Sequence, residues 1–147
     1  MAYGHVAHDC HIGDQVVIAS YAALAGHIEI GDRAFISGGV VIHQFSHIGK
    51  LSMIGGGSKV NLDVPPYFTV DGVPARAIGL NVVGLRRADL GDDDIRTLKK
   101  AFRLLYRSKL SLKVALERVE ELDTKETKEL VNFIRGSERG ICRHRPK

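Results

Sequence analysis

The sequence of 147 residues lacks tryptophan and holds only two cysteines and four prolines. Cys10 and Cys142 are too few for a disulfide framework or a paired-cysteine metal site, so we expect both thiols to be reduced. The sequence also has no apolar run of membrane-spanning length, and its N-terminus lacks the basic-then-apolar pattern of a signal peptide. These absences predict a cytoplasmic protein without a membrane span.

Residues 1–134 carry no excess of either acidic or basic side chains. The net charge of +4 comes wholly from residues 135–147, where the basic residues outnumber the single acid, Glu138. No tyrosine, phenylalanine or tryptophan lies among these basic residues, which argues against a nucleic-acid-binding segment. We therefore expect a solvated, frayed terminus and no nucleic-acid partner.

The dominant feature that the sequence does contain is a six-residue repeat. An aliphatic residue recurs at Val6, Ile12, Ile18, Leu24, Ile30, Ile36, Ile42, Ile48, Ile54 and Val60. A period of six fits neither an α-helix nor simple strand alternation, but it fits short strands joined by corners. Three such hexads form one coil of a parallel β-helix, with a small residue after each aliphatic one where we expect the chain to turn.

This repeat predicts a β-solenoid of about three to four coils over residues 1–67. Because Met1 begins inside the repeat, we expect preceding coils to be missing and the first coil to have an open edge. Residues 68–91 are predicted to form an irregular connection, with Gly72, Gly79 and Gly84 at turns. Residues 92–147 are predicted to form a small α-helical C-terminal domain whose helices are capped by Asp92, Ser111 and Thr124.

Histidines cluster in one phase of the repeat. Residues eighteen apart stack on adjacent coils, so the hexads 6–11, 24–29 and 42–47 are predicted to share one face. They contain His8, His11, His27, His43 and His47, and His5 lies just before them. We expect His11 and His47 to be solvated, and the other four to be functional. Histidine serves equally as a general base and as a metal ligand, so both chemistries stay open on these residues alone.

Six motifs in chain order carry a resemblance to a known family. They are HVAHDC (5–10), AGH (25–27), IHQF (42–45), DVPPY (63–67), GLNVVGLRR (79–87) and FIRGSERGI (133–141). The chain resembles the acyl-carrier-protein-dependent UDP-N-acetylglucosamine O-acyltransferases, which begin lipid A synthesis. The resemblance implies left-handed coils, a homotrimer with sites between subunits, UDP-N-acetylglucosamine and 3-hydroxyacyl-acyl carrier protein as substrates, and no metal or other cofactor.

The resemblance also implies a role for individual residues. His8 matches the general base that takes a proton from the 3-hydroxyl of the glucosamine, and Asp9 matches the acid that orients it. Gly26 matches the residue whose backbone N–H faces the thioester oxygen, and Gly56 matches the position that limits acyl length. The residues matching those that line the sugar, nucleotide, phosphate and acyl sites are His5, His27, His43, Gln44, Asn81, Arg86 and Arg87.

Two other functions remain open on the sequence. A zinc hydratase of the γ-carbonic-anhydrase type would use the same fold and the same residue type, with histidines from adjacent subunits as ligands. A truncated, non-catalytic trimeric assembly protein would need the repeat alone. Metal analysis separates the first from an acyltransferase, and an acyl-transfer assay with His8→Ala as control separates the second.

Overall fold

The structure, a computed structural model, describes residues 1–145, and the last two residues of the basic tail, Pro146 and Lys147, lie outside the described residues. The first sixty residues form strands of two residues each, separated by turns. These are β1 His5–Val6, β2 His11–Ile12, β3 Val17–Ile18, β4 Ala23–Leu24, β5 Glu29–Ile30, β6 Phe35–Ile36, β7 Val41–Ile42, β8 His47–Ile48, β9 Met53–Ile54 and β10 Lys59–Val60.

Three parallel sheets form the faces of a prism. Their strand orders are β1-β4-β7-β10, β2-β5-β8, and β3-β6-β9 with a later hairpin added. Paired residues are eighteen apart, as in the pairing of His5 with Ala23 and of Val6 with Leu24. The predicted β-solenoid is therefore confirmed, and it is followed by helices as expected.

The turns carry a left-handed backbone conformation once in every hexad. Backbone φ is positive at Tyr3, Asp9, Gln15, Tyr21, His27, Arg33, Gly39, Phe45, Leu51 and Gly57. The predicted small residues open these turns: Gly31 O accepts from the Ala34 N–H and Gly49 O from the Ser52 N–H, and the positive φ falls two residues after each glycine. Close stacking also requires these glycines, because a Cβ on them would lie 2.5 Å from Lys50 N and 2.2 Å from Pro66 N, on the next coil.

The aliphatic residues of the six-residue repeat, from Val6 to Val60, line the interior of the prism, and we call them the aliphatic ladder. Leu24, Ile42 and Ile54 are each at most 1% exposed, whereas Val6 and Ile12 in the first coil are 43% and 40% exposed. Each coil thus buries its ladder residues against the coil that follows it and the coil that precedes it. The interior continues without a break into the helical part of the chain.

The predicted irregular connection over residues 68–91 is wrong. Strands β11 Phe68–Asp71 and β12 Arg76–Leu80 form an antiparallel hairpin, and α1 covers Val82–Arg87. Strand β11 pairs in parallel with β9, so the sheet continues past the two prolines. Only Gly72, with a φ of 106°, lies in a turn as predicted.

Three longer helices complete the fold: α2 Asp92–Tyr106, α3 Leu112–Glu120 and α4 Lys125–Arg135. Ser111 and Thr124 cap α3 and α4 with side-chain hydrogen bonds, as predicted. The predicted N-cap at Asp92 is wrong, because Gly91 occupies that position and Asp92 is the first helical residue. Within residues 1–145, every helix is too short or too polar to cross a bilayer.

The basic tail is ordered along the solenoid. We define residues 137–145 as the C-terminal strap. The Asp63 N–H donates to Gly140 O (2.9 Å), the Cys142 N–H donates to Asp63 O (2.8 Å), and the Arg145 N–H donates to Ala77 O (3.1 Å). Cys142, within the strap, is fully buried. The prediction of a frayed terminus is therefore wrong, because backbone pairing and burial hold this segment in place.

Candidate active site

The histidines lie along an edge of the prism, where two sheets meet. The strands occupy residues 5–6 and 11–12 of the first coil, so the hexad 6–11 wraps around a corner instead of lying within one sheet. The predicted common face is therefore corrected to a common edge. We call the stacked turns 7–10, 25–28 and 43–46 the histidine edge.

His8 and Asp9 form a hydrogen-bonded pair on this edge, with 3.1 Å between His8 Nδ1 and Asp9 Oδ2. Strand alternation would point neighbouring side chains to opposite sides, but Asp9 has a φ of 58° and lies in the turn. The hydrogen bond with His8, and then the charge of His27, lower the pKa of the Asp9 carboxyl. An ionised carboxylate only accepts, so Nδ1 of His8 carries a proton, and in the neutral form of the ring Nε2 bears the lone pair.

Gly26 lies directly against the ring of His8. A Cβ on Gly26 would be 2.8 Å from His8 Cε1 and 3.0 Å from Nε2, closer than non-bonded carbon atoms approach. The His8 ring can occupy this position because Gly26 has no side chain. Among the hydrogen bonds of residues 1–145, the Gly26 N–H has no acceptor.

His27 completes the group on the next coil. Its Nε2 lies 3.8 Å from Asp9 Oδ2, and its ring meets the His8 ring edge-on with 5.1 Å between centroids. Phe45 stacks on the other side of His27 at 4.7 Å and an interplanar angle of 7°. The His27 ring is thus fixed between an aromatic face and a histidine.

The same group also brings three possible metal-ligand atoms near one another. One ligand atom from each of His8, Asp9 and His27 lies within 4.8 Å of the other two. Zinc bonds of about 2.0–2.1 Å in a tetrahedron place ligand atoms roughly 3.3 Å apart. The distances of 3.1 and 3.8 Å from Asp9 to the two rings bracket that value. Both acid–base chemistry and zinc binding are compatible with this arrangement.

His5, His43 and Gln44 also lie on or beside the histidine edge. His5 is exposed on β1, just before the first turn. His43 Nδ1 is 2.8 Å from Arg139 Nη1, and the backbone oxygen of Gln44 accepts from Arg139 Nη2 at 2.8 Å. These three predicted residues therefore lie on or beside the same edge as His8, Asp9, Gly26 and His27.

The other predicted residues lie elsewhere in the chain. Asn81 is only 7% exposed, caps α1 by accepting from the Gly84 N–H, and donates to Leu51 O at 2.9 Å. Residues 86–87, the predicted arginine pair, are exposed in the last turn of that same helix. Gly56 lies in an exposed turn between β9 and β10, on a different edge of the prism. Within one chain, none of these residues joins the histidine edge.

The structure adds residues that the sequence reasoning missed. A cavity of about 970 Å³ beside the histidine edge is lined by Asp9, His27 and Phe45 together with Asp63 and Arg139. Both added residues fall inside motifs of the resemblance, but their partners are far away in the chain. His47, predicted to be solvated, lies at the same cavity with its Nε2 3.3 Å from Glu29 Oε2.

Comparison with known protein families shows which family the chain matches. Residues 63–142 match the family described as UDP-N-acetylglucosamine O-acyltransferase, domain 2, and residues 9–44 match the bacterial transferase hexapeptide repeat. The chain belongs to the UDP-N-acetylglucosamine O-acyltransferase family. The match at the family level covers just over half of the chain and includes the strap up to Cys142.

Individual relatives agree with this assignment. Proteins named acyl-[acyl-carrier-protein]–UDP-N-acetylglucosamine O-acyltransferase are 53% identical over 97% of the chain in Thermodesulfovibrio yellowstonii and 55% identical over 82% in Gloeothece citriformis. The chain covers 56% and 44% of those two proteins, so it spans about half the length of the curated relatives it matches.

Solved structures match over nearly the whole chain. The UDP-N-acetylglucosamine acyltransferase of Francisella novicida superposes with a TM-score of 0.93 at 36% identity, covering 97% of this chain and 53% of that one. The enzyme of Campylobacter jejuni also has a TM-score of 0.93, at 37% identity, covering 99% and 57%. The left-handed β-helix that the resemblance implies is thereby confirmed.

Proposed function

We propose that the protein transfers a 3-hydroxyacyl group from acyl carrier protein to the 3-hydroxyl of UDP-N-acetylglucosamine. One observation carries the proposal: His8 is held by Asp9 through Nδ1, while the side of its ring that bears Nε2 lies over Gly26. The proposed base thus packs against a glycine whose backbone N–H has no acceptor among residues 1–145. The names of the relatives, which specify acyl carrier protein and UDP-N-acetylglucosamine, support the choice of substrates.

The proposed reaction uses these groups in order. Nε2 of His8 takes the proton from the sugar 3-hydroxyl as its oxygen attacks the thioester carbonyl carbon. The carbonyl oxygen becomes an oxyanion and accepts a hydrogen bond from the Gly26 N–H. The tetrahedral intermediate then expels the carrier thiolate, which takes the proton from His8. Asp9 stabilises the imidazolium and keeps its Nδ1 proton in place. No metal or cofactor takes part in these steps.

The proposed substrate contacts divide between two parts of the chain. His27 contacts the base, and His5, His43 and Gln44 lie on or beside the same histidine edge. Gly56 lies on another edge of the prism, and Asn81, Arg86 and Arg87 lie at helix α1, so these four reach the same substrate only from a neighbouring subunit. This separation supports a homotrimer in which a neighbour supplies the nucleotide, phosphate and acyl-length contacts. Arginine suits the phosphates because its donors form a fixed, always charged fork.

A zinc hydratase is the second candidate, and the mutual distances of His8, Asp9 and His27 favour it. In that case the metal would replace the proton on His8 and hold a water in place of the sugar hydroxyl. The unpaired N–H of Gly26 has no part in that chemistry. A non-catalytic assembly protein is the third candidate, and it would need the repeat alone.

The decisive test incubates the chain with UDP-N-acetylglucosamine and 3-hydroxyacyl carrier proteins of several acyl lengths, and follows the nucleotide product by mass spectrometry. Acyl transfer is expected, with fragmentation placing the acyl group on the sugar 3-hydroxyl. A chain that transfers no acyl group contradicts the proposal. Carbon dioxide hydration that depends on stoichiometric zinc would establish the hydratase, and the absence of both activities would support an assembly role.

A further inference from the structure

The C-terminal strap is anchored to the solenoid beside the histidine edge by one buried carboxylate. Asp63 is 1% exposed, and its Oδ1 accepts from the His47 N–H at 2.9 Å. Its Oδ2 accepts from the hydroxyl of Ser137 at 2.6 Å, and the same hydroxyl accepts from the Gly140 N–H at 3.1 Å. This closed set of hydrogen bonds fixes the backbone on both sides of Arg139.

The strap places the guanidinium of Arg139 on the third turn of the histidine edge. Nη1 lies 2.8 Å from His43 Nδ1 and donates to Asn61 O at 3.3 Å, and Nη2 donates to Gln44 O at 2.8 Å. His43 and Arg139 are 96 residues apart in sequence. The guanidinium therefore joins the end of the chain to a residue of the candidate site.

These contacts determine which nitrogen of His43 carries the proton. Arginine has donors and no acceptor, so His43 Nδ1 must be the accepting nitrogen and the proton must lie on Nε2. His43 Nδ1 is also 3.1 Å from Gln44 O, which is a second acceptor. The lone pairs of His43 Nδ1 and Gln44 O would repel each other if neither accepted a hydrogen bond. The Arg139 guanidinium donates to both, through Nη1 to His43 Nδ1 and through Nη2 to Gln44 O.

We propose that Arg139 is a positioning residue that holds His43 in the Nε2–H tautomer, so that His43 presents a hydrogen-bond donor to an oxygen of the bound sugar nucleotide. The inference rests on the proposed function for its ligand, but the tautomer is a property of the free chain. Arg139 also lines the cavity shared with Asp9 and His27, so the residue that orients His43 belongs to the same cavity as the hydrogen-bond partner of the proposed base.

The first test reads the tautomer directly by ¹⁵N NMR of the imidazole of His43 in the full chain. The wild-type chain is expected to show a bare Nδ1 and a protonated Nε2, and Arg139→Gln is expected to show a mixture of tautomers. Arg143→Gln removes the same charge from an exposed position of the strap and is expected to leave His43 unchanged. An Arg139→Gln spectrum with the wild-type His43 shifts overturns the proposal.

The second test separates positioning from direct contact with the nucleotide. Arg139→Gln is expected to raise the KM for UDP-N-acetylglucosamine roughly 3- to 10-fold with little change in kcat, as for the loss of one hydrogen bond. Arg139→Lys keeps the charge but lacks the fork, so it is not expected to restore the KM. In a His43→Phe background, loss of Arg139 is expected to have no further effect, whereas an additive loss overturns the positioning role.

The two tests also keep the failure of this inference apart from the failure of the proposed function. The NMR measurement needs no turnover and no ligand. A wild-type chain that shows the Nε2–H tautomer but transfers no acyl group refutes the proposed function and leaves the role of Arg139 standing. A chain that is active but insensitive to Arg139→Gln in both tests refutes only the inference.

Discussion

The imidazole of His8 occupies the space in which any residue other than glycine at position 26 would carry its Cβ. A Cβ on Gly26 would lie 2.8 Å from His8 Cε1 and 3.0 Å from Nε2. The two residues are eighteen apart and stack on adjacent coils, so the repeat itself brings the proposed base and the proposed oxyanion donor together. A side chain at position 26 would therefore push them apart.

Gly26→Ala is expected to displace the His8 ring and lower kcat/KM for acyl transfer roughly 10²- to 10³-fold, because base and oxyanion donor lose their alignment. The measurement is steady-state transfer at saturating carrier substrate, with thermal melting to show that the fold is retained. Gly79→Ala is the matched control, since a Cβ there meets no atom within 4 Å. Equal rates for the two variants would contradict the account.

Asp9→Asn tests the orientation of His8. The pKa of Asp9 is lowered from its ordinary value of 3.8, so the carboxylate stays ionised as the pH falls, until the pH reaches that lowered pKa. The ionised Asp9 carboxylate therefore accepts from His8 Nδ1 throughout the neutral range, and this interaction is lost only in acid, as the pH falls through the lowered pKa of Asp9. The asparagine amide can both donate and accept, so it no longer fixes the tautomer.

We expect Asp9→Asn to lower kcat/KM roughly 10²- to 10⁴-fold between about pH 6 and pH 8. A pH–rate profile of the variant and the wild type checks this. Asp14→Asn, which changes an exposed carboxylate in the next turn of the same coil, should behave as the wild type does. A variant at Asp9 with the wild-type profile would remove Asp9 from the mechanism.

Removal of metal separates the acyltransferase from the hydratase. Prolonged dialysis against a strong chelator, verified by elemental analysis, is expected to leave the acyl-transfer rate unchanged, because His8 acts as a base through a free lone pair. Added zinc is expected to inhibit, since it would occupy ligand atoms of His8, Asp9 and His27. A rate that falls on chelation and returns with zinc would contradict the proposed mechanism.

The contribution of burial along the aliphatic ladder to stability can be measured with the same substitution at two stacked positions. Ile48 is 2% exposed and Ile12 is 40% exposed at the equivalent position two coils away. Ile48→Ala is expected to lower the free energy of unfolding by about 2–5 kcal/mol, and Ile12→Ala by less than half of that. Urea unfolding checks both values. Equal costs would show that Ile12 is covered in solution.

The sequence predicted the coils because one inward position every six residues is a local requirement that each short strand meets on its own. It predicted a turn after each aliphatic residue but not that the turn takes up the next four residues, since each strand is only two residues long. His8 and Asp9 were therefore assigned to a face, although they occupy a turn. Their pairing depends on the positive φ of Asp9, which the residue types do not specify.

The parts that sequence reasoning missed depend on contacts between distant residues. Arg139 meets His43 across 96 residues, and Ser137 meets Asp63 across 74, so neither contact produces a local pattern. The hairpin of β11 and β12 was missed because its glycines suggested turns, although Gly79 lies within a strand. Tertiary pairing there outweighs the local preference of glycine.

The measurement that tests the central claim most directly is the acyl-transfer rate of His8→Ala. Loss of the base is expected to lower kcat/KM roughly 10²- to 10⁴-fold while the variant still binds UDP-N-acetylglucosamine. Gln15→Ala, which removes an exposed side chain from the next turn of the same coil, serves as the control and should match the wild type. A His8→Ala chain that transfers acyl groups at the wild-type rate would contradict the account.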